Sequence, residues 1–265
     1  MLEIIGYILA SIIGLSLGLI GSGGSILTVP LLVYFFGLNA ILATAYSLFI
    51  VGISSAVGAT RFIVRGQADL KTAAYFAAPA LVAVYLVRRF LMPNLPRVFF
   101  TVGDFTVSRD TFILVFFAVV MLWAAVKMVR SGKPKSAVGE KSSPNFLLII
   151  IEGIVVGAVT GFVGAGGGFL IIPALVLLVG LPMKKAVATS LVIIAVKSLI
   201  GFIGDVQNLD IDWPFLITLS AIASAGIFLG MFLGKIVDGS RLKKGFGYFL
   251  MIMAIFMILR ESGLL

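Results

Sequence analysis

The chain contains no cysteine and no histidine, and it carries few charges. Without cysteine it can form no disulfide and offers no thiolate. Without histidine it lacks the commonest metal ligand and proton shuttle. Charged residues make up 12% of the 265 residues, about half of their share in a soluble domain. These absences exclude zinc-centred chemistry and a sizeable soluble domain, and we expect no metal and no cofactor.

Apolar residues dominate instead. They make up 61% of the chain, and the mean hydropathy is +1.21. Apolar runs of about 18 residues or more recur along nearly the whole length, and each is a candidate transmembrane helix. The net charge of +9 fits lysine and arginine collecting in cytoplasmic loops better than it fits nucleic-acid binding. The composition predicts a multi-pass protein of the cell (inner) membrane, with the lipid bilayer as its partner.

The sequence repeats itself internally. Residues 18–58 align with residues 161–201 without a gap, and 17 of the 41 positions are identical. The identities include a register of glycines and prolines, which shared apolar composition alone would not produce. We therefore predict a duplication, and positions that stand 143 residues apart, the offset of this alignment, are called equivalent. Residues 1–130 form the first repeat, residues 131–145 form a cytoplasmic linker, and residues 146–265 form the second repeat.

Each half divides into five apolar segments, the second of which is short. The predicted fold is all-α and polytopic, with about ten transmembrane segments, and it contains broken, glycine-rich helices. The segments are 3–20, 25–37, 40–62, 70–90 and 110–130 in the first half, and 146–163, 168–180, 184–204, 213–235 and 244–260 in the second.

The charge of equivalent loops predicts that the two halves are inverted. The loop after the third segment is basic in the first half and acidic in the second, through Arg61, Arg65 and Lys71 against Asp205, Asp210 and Asp212. Since cytoplasmic loops collect bases, these loops should lie on opposite faces of the membrane. Residues 91–109 then lie outside despite two arginines, and their alternating pattern predicts a small external hairpin or an interfacial loop.

Two glycine clusters carry the functional hypothesis. We call "GSGGS" (residues 21–25) the first glycine turn and "GAGGG" (residues 164–168) the second. Non-helical backbone at membrane depth is tolerated only where protein buries it or where it lines a cavity. The short helix after each turn starts with free amides that favour an anion. The predicted binding residues from the turns are Gly21, Gly23, Gly24, Ser25, Gly164, Gly166, Gly167 and Gly168.

Other readings of the glycines and prolines remain open. A pair of tight packing turns is the alternative for the two clusters. Helical packing is favoured for two regularly spaced triplets, and the second of these suits a homodimer contact as well as an internal one. Pro30 and Pro173 lie too late to be first-turn prolines, so we expect them to kink or shorten their helices. The triplets are Gly153, Gly157 and Gly161, and Gly226, Gly230 and Gly234.

Two charged residues stand inside apolar segments. Lys197 lies deep in the third segment of the second half, where its counterpart in the first half is Ser54. An ammonium there is a candidate ligand for an anion, and the alternatives are snorkelling or a structural pair. Glu152 is a candidate for proton coupling. Arg61, Arg88 and Arg89 stand at segment ends and are interpreted as interface anchors.

Hydroxyl groups cluster where the third segments begin. Ser47, Thr189 and Ser190 are predicted to bind an oxyanion there, and capping of the helix backbone is the alternative. An intramembrane enzyme would need a Ser–Lys dyad. Ser198 adjoins Lys197 and Ser190 stands seven residues from it, so neither serine is well placed on a helix. We expect no enzyme.

At this point the residues resemble a known family. "GLIGSGGSILTVPLL" and "GFVGAGGGFLIIPAL", followed by "ATAYSL" and "VATSLV", are similar to the two halves of the TauE/SafE family of membrane permeases. The resemblance implies a permease for sulfite, sulfonates and related sulfur-containing anions. The resulting expectation is a secondary transporter of a small anion that works by alternating access. An anion channel, or a membrane sensor or structural protein, is the alternative.

Overall fold

Ten α-helices form the described part of the computed structural model, which covers residues 2–20, 22–102, 105–130, 146–177, 179–233 and 239–262. Each predicted apolar segment contains an α-helix. The helices of the first half are α1 (Leu2–Ile20), α2 (Thr28–Tyr34), α3 (Ala40–Val64), α4 (Leu70–Leu86) and α5 (Arg109–Arg130). Those of the second half are α6 (Phe146–Val163), α7 (Gly168–Leu177), α8 (Met183–Val206), α9 (Trp213–Leu233) and α10 (Gly239–Glu261). The linker 131–145 lies outside the described residues.

Two helix ends depart from a regular α-helix. A 3₁₀ helix (Ser22–Leu27) precedes α2, so Pro30 falls in the first turn of α2 and the prediction that it lies beyond that turn is wrong. A first-turn proline costs little, because its missing N–H has no partner in the helix in any case. Pro173 does lie inside α7. At its C-terminal end α4 continues into a π-helix (Val87–Leu91).

Five helical segments in the described residues are long and apolar enough to cross a membrane. They are Ala40–Val64, Leu70–Leu91, Arg109–Lys127, Met183–Val206 and Trp213–Leu233. Three further apolar helices are shorter, namely Gly6–Leu19, Gly24–Tyr34 and Leu147–Val163. The structure is thus a mostly helical protein with several membrane-spanning helices.

The segment between α4 and α5 is the hairpin that the alternating sequence predicts. Strand β1 (Val98–Val102) pairs antiparallel with β2 (Phe105–Ser108). The register is irregular between Val98 and Phe100. Aromatic side chains join the hairpin to the helices, since the Phe99 ring stacks on Phe112 of α5 with centroids 4.4 Å apart.

The helices pair across the two halves. α1 packs along α9 and α6 packs along α4, while α5 packs on α10. The first two contacts match at equivalent positions of the repeat. The Cα of Gly14 abuts the backbone carbonyl of Ala223, and the Cα of Gly157 abuts that of Ala80. In a lipid bilayer the hydrophobic effect does not drive helices together. The van der Waals contacts that close approach permits therefore supply much of the packing energy.

α3 and α8 cross at the centre and run antiparallel. Leu48 lies near Gly201, Gly52 lies near Leu199, and Leu191 lies near Gly58, so the residue numbers rise along one helix as they fall along the other. α3 also packs on α9, and α8 packs on α4.

At each end of the crossing, a backbone N–H donates a hydrogen bond to a side-chain hydroxyl of the other half. The Asp69 N–H donates to Thr189 Oγ1 (2.9 Å). The Asp212 N–H donates to Tyr46 Oη (2.6 Å). The two donors occupy equivalent positions in the two halves, as do the two acceptors. The sequence repeat is therefore also a repeat of contacts.

The described part of the second glycine triplet packs inside the chain. A Cβ at Gly226 would meet the Ser11 carbonyl, and one at Gly230 would meet the Leu15 carbonyl. Both glycines thus face α1. Gly234 lies outside the described residues, and the homodimer stays a prediction.

Substituting Gly157 with alanine should weaken the packing of α6 on α4. The new Cβ would lie 2.5 Å from the Ala80 carbonyl oxygen. This oxygen belongs to the backbone of α4, which can shift only at a substantial cost in free energy. We expect a loss of about 1–3 kcal/mol, seen as a lower apparent Tm of the purified protein. Gly245→Ala is the control, because nothing lies within 4 Å of its Cβ position. Equal Tm values for the two variants would contradict this packing.

Candidate functional site

The two glycine turns differ in backbone conformation. In the first, Gly23, Gly24 and Ser25 belong to the 3₁₀ helix, and Gly21 lies outside the described residues. The second is non-helical before Gly168, which begins α7. Gly164 and Gly167 have φ of +73° and +72°, a region that favours glycine. The turns are therefore related in sequence but not identical in shape.

The turns meet at the crossing of α3 and α8. A Cβ at Gly166 would lie 2.5 Å from Val51 Cγ1, 3.0 Å from Ser25 Cβ and 3.2 Å from Ile194 Cγ2. Val51 and Ile194 are equivalent positions in the two halves. Gly166 thus lies between equivalent positions of α3 and α8, and Ser25 brings the first turn to the same place.

Lys197 lies beside the second turn. Its side chain is fully buried, and Nζ donates a 2.5 Å hydrogen bond to Thr160 Oγ1. A Cβ at Gly167 would lie 3.1 Å from Nζ and would clash with the Thr160 methyl group. Among the described residues Lys197 forms no ion pair with a carboxylate. We call Lys197, Thr160, Gly166, Gly167 and Ser25 the central site.

Several buried hydroxyl groups on α2, α3 and α8 can donate or accept hydrogen bonds in this core. Ser54 occupies the position equivalent to Lys197, and Ser55 and Ser198 are equivalent to each other. Leaving a buried hydroxyl without a hydrogen bond costs about 1–3 kcal/mol. Such groups therefore indicate that water or a ligand supplies the missing bonds. On these three helices the buried hydroxyls without a protein partner among the described residues are Thr28, Ser47, Ser54, Ser55 and Ser198.

Two of the predicted hydroxyls form hydrogen bonds within the protein. Thr189 accepts the bond from Asp69 at the start of α4, and Ser190 Oγ donates to the Val187 carbonyl (2.8 Å). Both side chains are buried. Their role in binding a substrate stays a prediction, as does that of Ser47.

Glu152 is distant from the central site along its own helix. Lys197 bonds Thr160 of α6, and Glu152 stands eight residues before Thr160 on the same helix. Eight residues correspond to about 12 Å of helix rise. Its Oε2 is buried and has no partner among the described residues. Proton coupling through Glu152 stays a prediction.

The interpretation of Arg88 as an interface anchor is wrong. Arg88 is fully buried, and its Nη1 donates to Thr44 Oγ1 (3.1 Å) and lies 3.4 Å from Asp205 Oδ2. Asp205, counted as a loop residue from the sequence, belongs to α8 and is 2% exposed. Apolar neighbours in sequence hide this pair, because an ion pair between distant segments leaves no local pattern.

Sequence reasoning also missed Thr160, which holds the ammonium of Lys197. The residue stands directly before Gly161, which begins the repeated G-x-x-G pattern, and its counterpart is Leu17. A polar residue that replaces an apolar one in a repeat is the signal that could have found it. A comparable difference, a charged residue against a small hydroxyl, marks Lys197 against Ser54.

The sequence profile described as "Sulfite exporter TauE/SafE" matches residues 6–257. Taken with the helical fold and the duplicated glycine turns, this match shows that the chain belongs to the TauE/SafE family of membrane transporters.

Curated relatives carry names of the same class. A "Probable membrane transporter protein" of Xylella fastidiosa is 26% identical over 256 residues, which cover 94% of this chain and 92% of the relative. One of Haemophilus influenzae is 26% identical over 96% of this chain and 97% of its own length. One of Methanocaldococcus jannaschii is 36% identical over 42% of this chain and 43% of the relative. No solved structure matches the chain.

The contact between Gly166 and Val51 should appear as coupling between two substitutions. Gly166→Ala places a Cβ against Val51 Cγ1, and Val51→Ala removes that methyl. We expect Val51→Ala to destabilise the Gly166→Ala protein by at least about 1 kcal/mol less than it destabilises the wild type. Chemical unfolding of the four proteins measures this difference.

Ile194→Ala is the matched control, because its methyl lies 3.2 Å from the same position and not 2.5 Å. Its coupling to Gly166→Ala should be smaller. If the coupling energy with Gly166→Ala is the same for Val51→Ala as for Ile194→Ala, then Gly166 does not lie against Val51.

Proposed function

We propose that this protein is a secondary transporter of a small anion, with sulfite, a sulfonate or a related sulfur-containing anion as substrate. The observation that carries the proposal is the fully buried ammonium of Lys197, which has only a neutral hydroxyl as its hydrogen-bond partner among the described residues. A buried charge without a partner is costly. A bound anion between the glycine turns would supply the missing negative charge.

The surroundings of Lys197 suit an oxyanion. α7 begins at Gly168, so its unpaired amides and its dipole favour negative charge at this end. Gly166 and Gly167 have no side chain of their own, which lets Ser25 and Thr160 pack close to their backbone. The unpartnered hydroxyls of Ser54, Ser55 and Ser198 offer further donors at the same crossing. The predicted ligands from the first turn and from Ser47 complete the proposed site.

The architecture we propose is two inverted five-segment repeats that meet at this site. The antiparallel crossing of α3 and α8 supports it: these two helices are equivalent members of the repeats, so if both span the membrane, the halves have opposite orientation. Transporters of this construction place their substrate at broken helices on the repeat interface. Rocking of one half against the other would open the site to each face in turn.

Replacing Lys197 with methionine should abolish transport without unfolding the protein. We expect uptake of radiolabelled sulfite into proteoliposomes to fall about 100-fold, since the charged hydrogen bond to the anion is lost. The apparent Tm without anion should hold or rise, because an unpaired buried charge has been removed. Lys184→Met is the control, since Lys184 is exposed on the same helix.

Transport by Lys197→Met at the wild-type rate would overturn the proposed site. Loss of transport together with a large fall in Tm would assign Lys197 a structural role instead.

The inverted arrangement predicts opposite labelling of two equivalent loop positions. Gln67 follows α3, and Asp210 follows α8. Both residues are exposed, and they stand 143 residues apart, which is the offset of the repeat. The natural chain has no cysteine, so Gln67→Cys and Asp210→Cys each introduce a single thiol. In intact cells a membrane-impermeant maleimide should label Asp210→Cys and should leave Gln67→Cys unlabelled until the membrane is permeabilised. Labelling of both from one side would show that the halves are parallel.

A further inference from the structure

Arg88 is a second buried cation, and part of its guanidinium is unused. Its side chain is fully buried, and only Nη1 makes contacts with Thr44 and Asp205. Nε and Nη2 have no hydrogen-bond partner among the described residues. These two nitrogens form one edge of the planar guanidinium, and their parallel N–H groups match two oxygens of an oxyanion.

Thr44 connects Arg88 to the second glycine turn. It accepts the bond from Arg88, and the Cα of Gly164 abuts Thr44 closely enough that a Cβ there would clash with it. Three residues later in the same turn, Gly167 lies beside Lys197. The turn thus has a buried cation near each end.

The two cations lie at different depths. Asp205, the ion-pair partner of Arg88, stands eight residues after Lys197 on α8, about 12 Å by helix rise. This displacement is toward the end of α8 and the start of α3, which is the external face in the proposed topology. An anion leaving the central site toward this face would pass along the second turn to Arg88.

The other half has no equivalent cation. The positions equivalent to Arg88 and Asp205 are Met231 and Phe62, which pack in one apolar cluster. The Arg88 pair therefore breaks the symmetry of the repeat, just as Lys197 does. A pair needed only to hold the repeat together would be expected in both halves.

We propose that the Nε–Nη2 edge of Arg88 is a second oxyanion-binding site, which receives a sulfite or sulfonate group in a two-point contact on the path between Lys197 and the external face. This inference rests on the proposed function. Asp205 lies on the Nη1 side of the guanidinium, so its carboxylate repels an anion bound at the Nε–Nη2 edge and competes with it for the charge of Arg88. Binding here involves no covalent step.

Three variants test the proposal in the full-length protein in nanodiscs, with sulfite as the probe and calorimetric titration as the measurement. Arg88→Lys keeps the charge and a partner for Asp205 but removes the two-nitrogen edge. Asp205→Asn removes the competitor. Arg89→Lys is the control, because the neighbouring Arg89 bonds Asn208 at an exposed position.

We expect Arg88→Lys to weaken sulfite binding at one site about tenfold, and Asp205→Asn to strengthen it by a similar factor. Arg89→Lys should leave it unchanged. In oriented proteoliposomes Arg88→Lys should raise the KM for sulfite presented at the external face and leave the KM at the other face unaltered. A structural ion pair alone would lower stability in both variants and would not strengthen binding in Asp205→Asn.

The two proposals fail in different ways. If Lys197→Met abolishes all sulfite binding while Arg88→Lys and Asp205→Asn bind as the wild type does, the Arg88 site is overturned and the transport proposal stands. If Lys197→Met binds and transports sulfite normally, the transport site itself is overturned. Residual weak binding in Lys197→Met that disappears when Arg88→Lys is added would support the Arg88 site directly.

Discussion

The charge balance of one buried ammonium is the constraint on which the account depends. Lys197 lies at the crossing of the two central helices and has Thr160 as its hydrogen-bond partner. A hydroxyl can orient an ammonium but cannot neutralise it, and the surrounding core is apolar. A bound anion would supply a negative charge at this point, and the proposed anion transport rests on that pairing. A permanent carboxylate there would stabilise the fold and block the site.

The duplication explains how the chain brings such a site together. Glycines let α1 approach α9 and α6 approach α4 at equivalent positions, and α3 crosses α8 where both turns arrive. This repeat of contacts gives the two halves similar packing. The chemistry is not duplicated, however. Lys197, Thr160, Arg88 and Asp205 all stand where the other half has a small or apolar residue. The packing contacts are repeated in the two halves, whereas these buried polar and charged groups are not.

Much of this fold could be predicted from the sequence, because the signals are local and repeated. Apolar runs gave the helices within a few residues, and the alternation of residues 98–108 gave the hairpin. The repeat alignment predicted that the turns are equivalent, and their approach follows from it. The 3₁₀ helix before Pro30 could not be read from the sequence, since glycine permits several backbone conformations and packing selects one. The burial of Arg88 could not be read either, because its partner Asp205 belongs to the other half of the chain.

Locating a bound anion would test the central claim most directly. Selenate and selenite are heavier analogues of sulfate and sulfite, and selenium scatters anomalously, so crystals grown with either can be searched for a peak. The account predicts the strongest non-protein peak between Lys197 Nζ and the second glycine turn, roughly 3 Å from the nitrogen. Its loss in crystals of Lys197→Met would complete the result. A peak elsewhere, with Lys197 found against a carboxylate, would contradict the account.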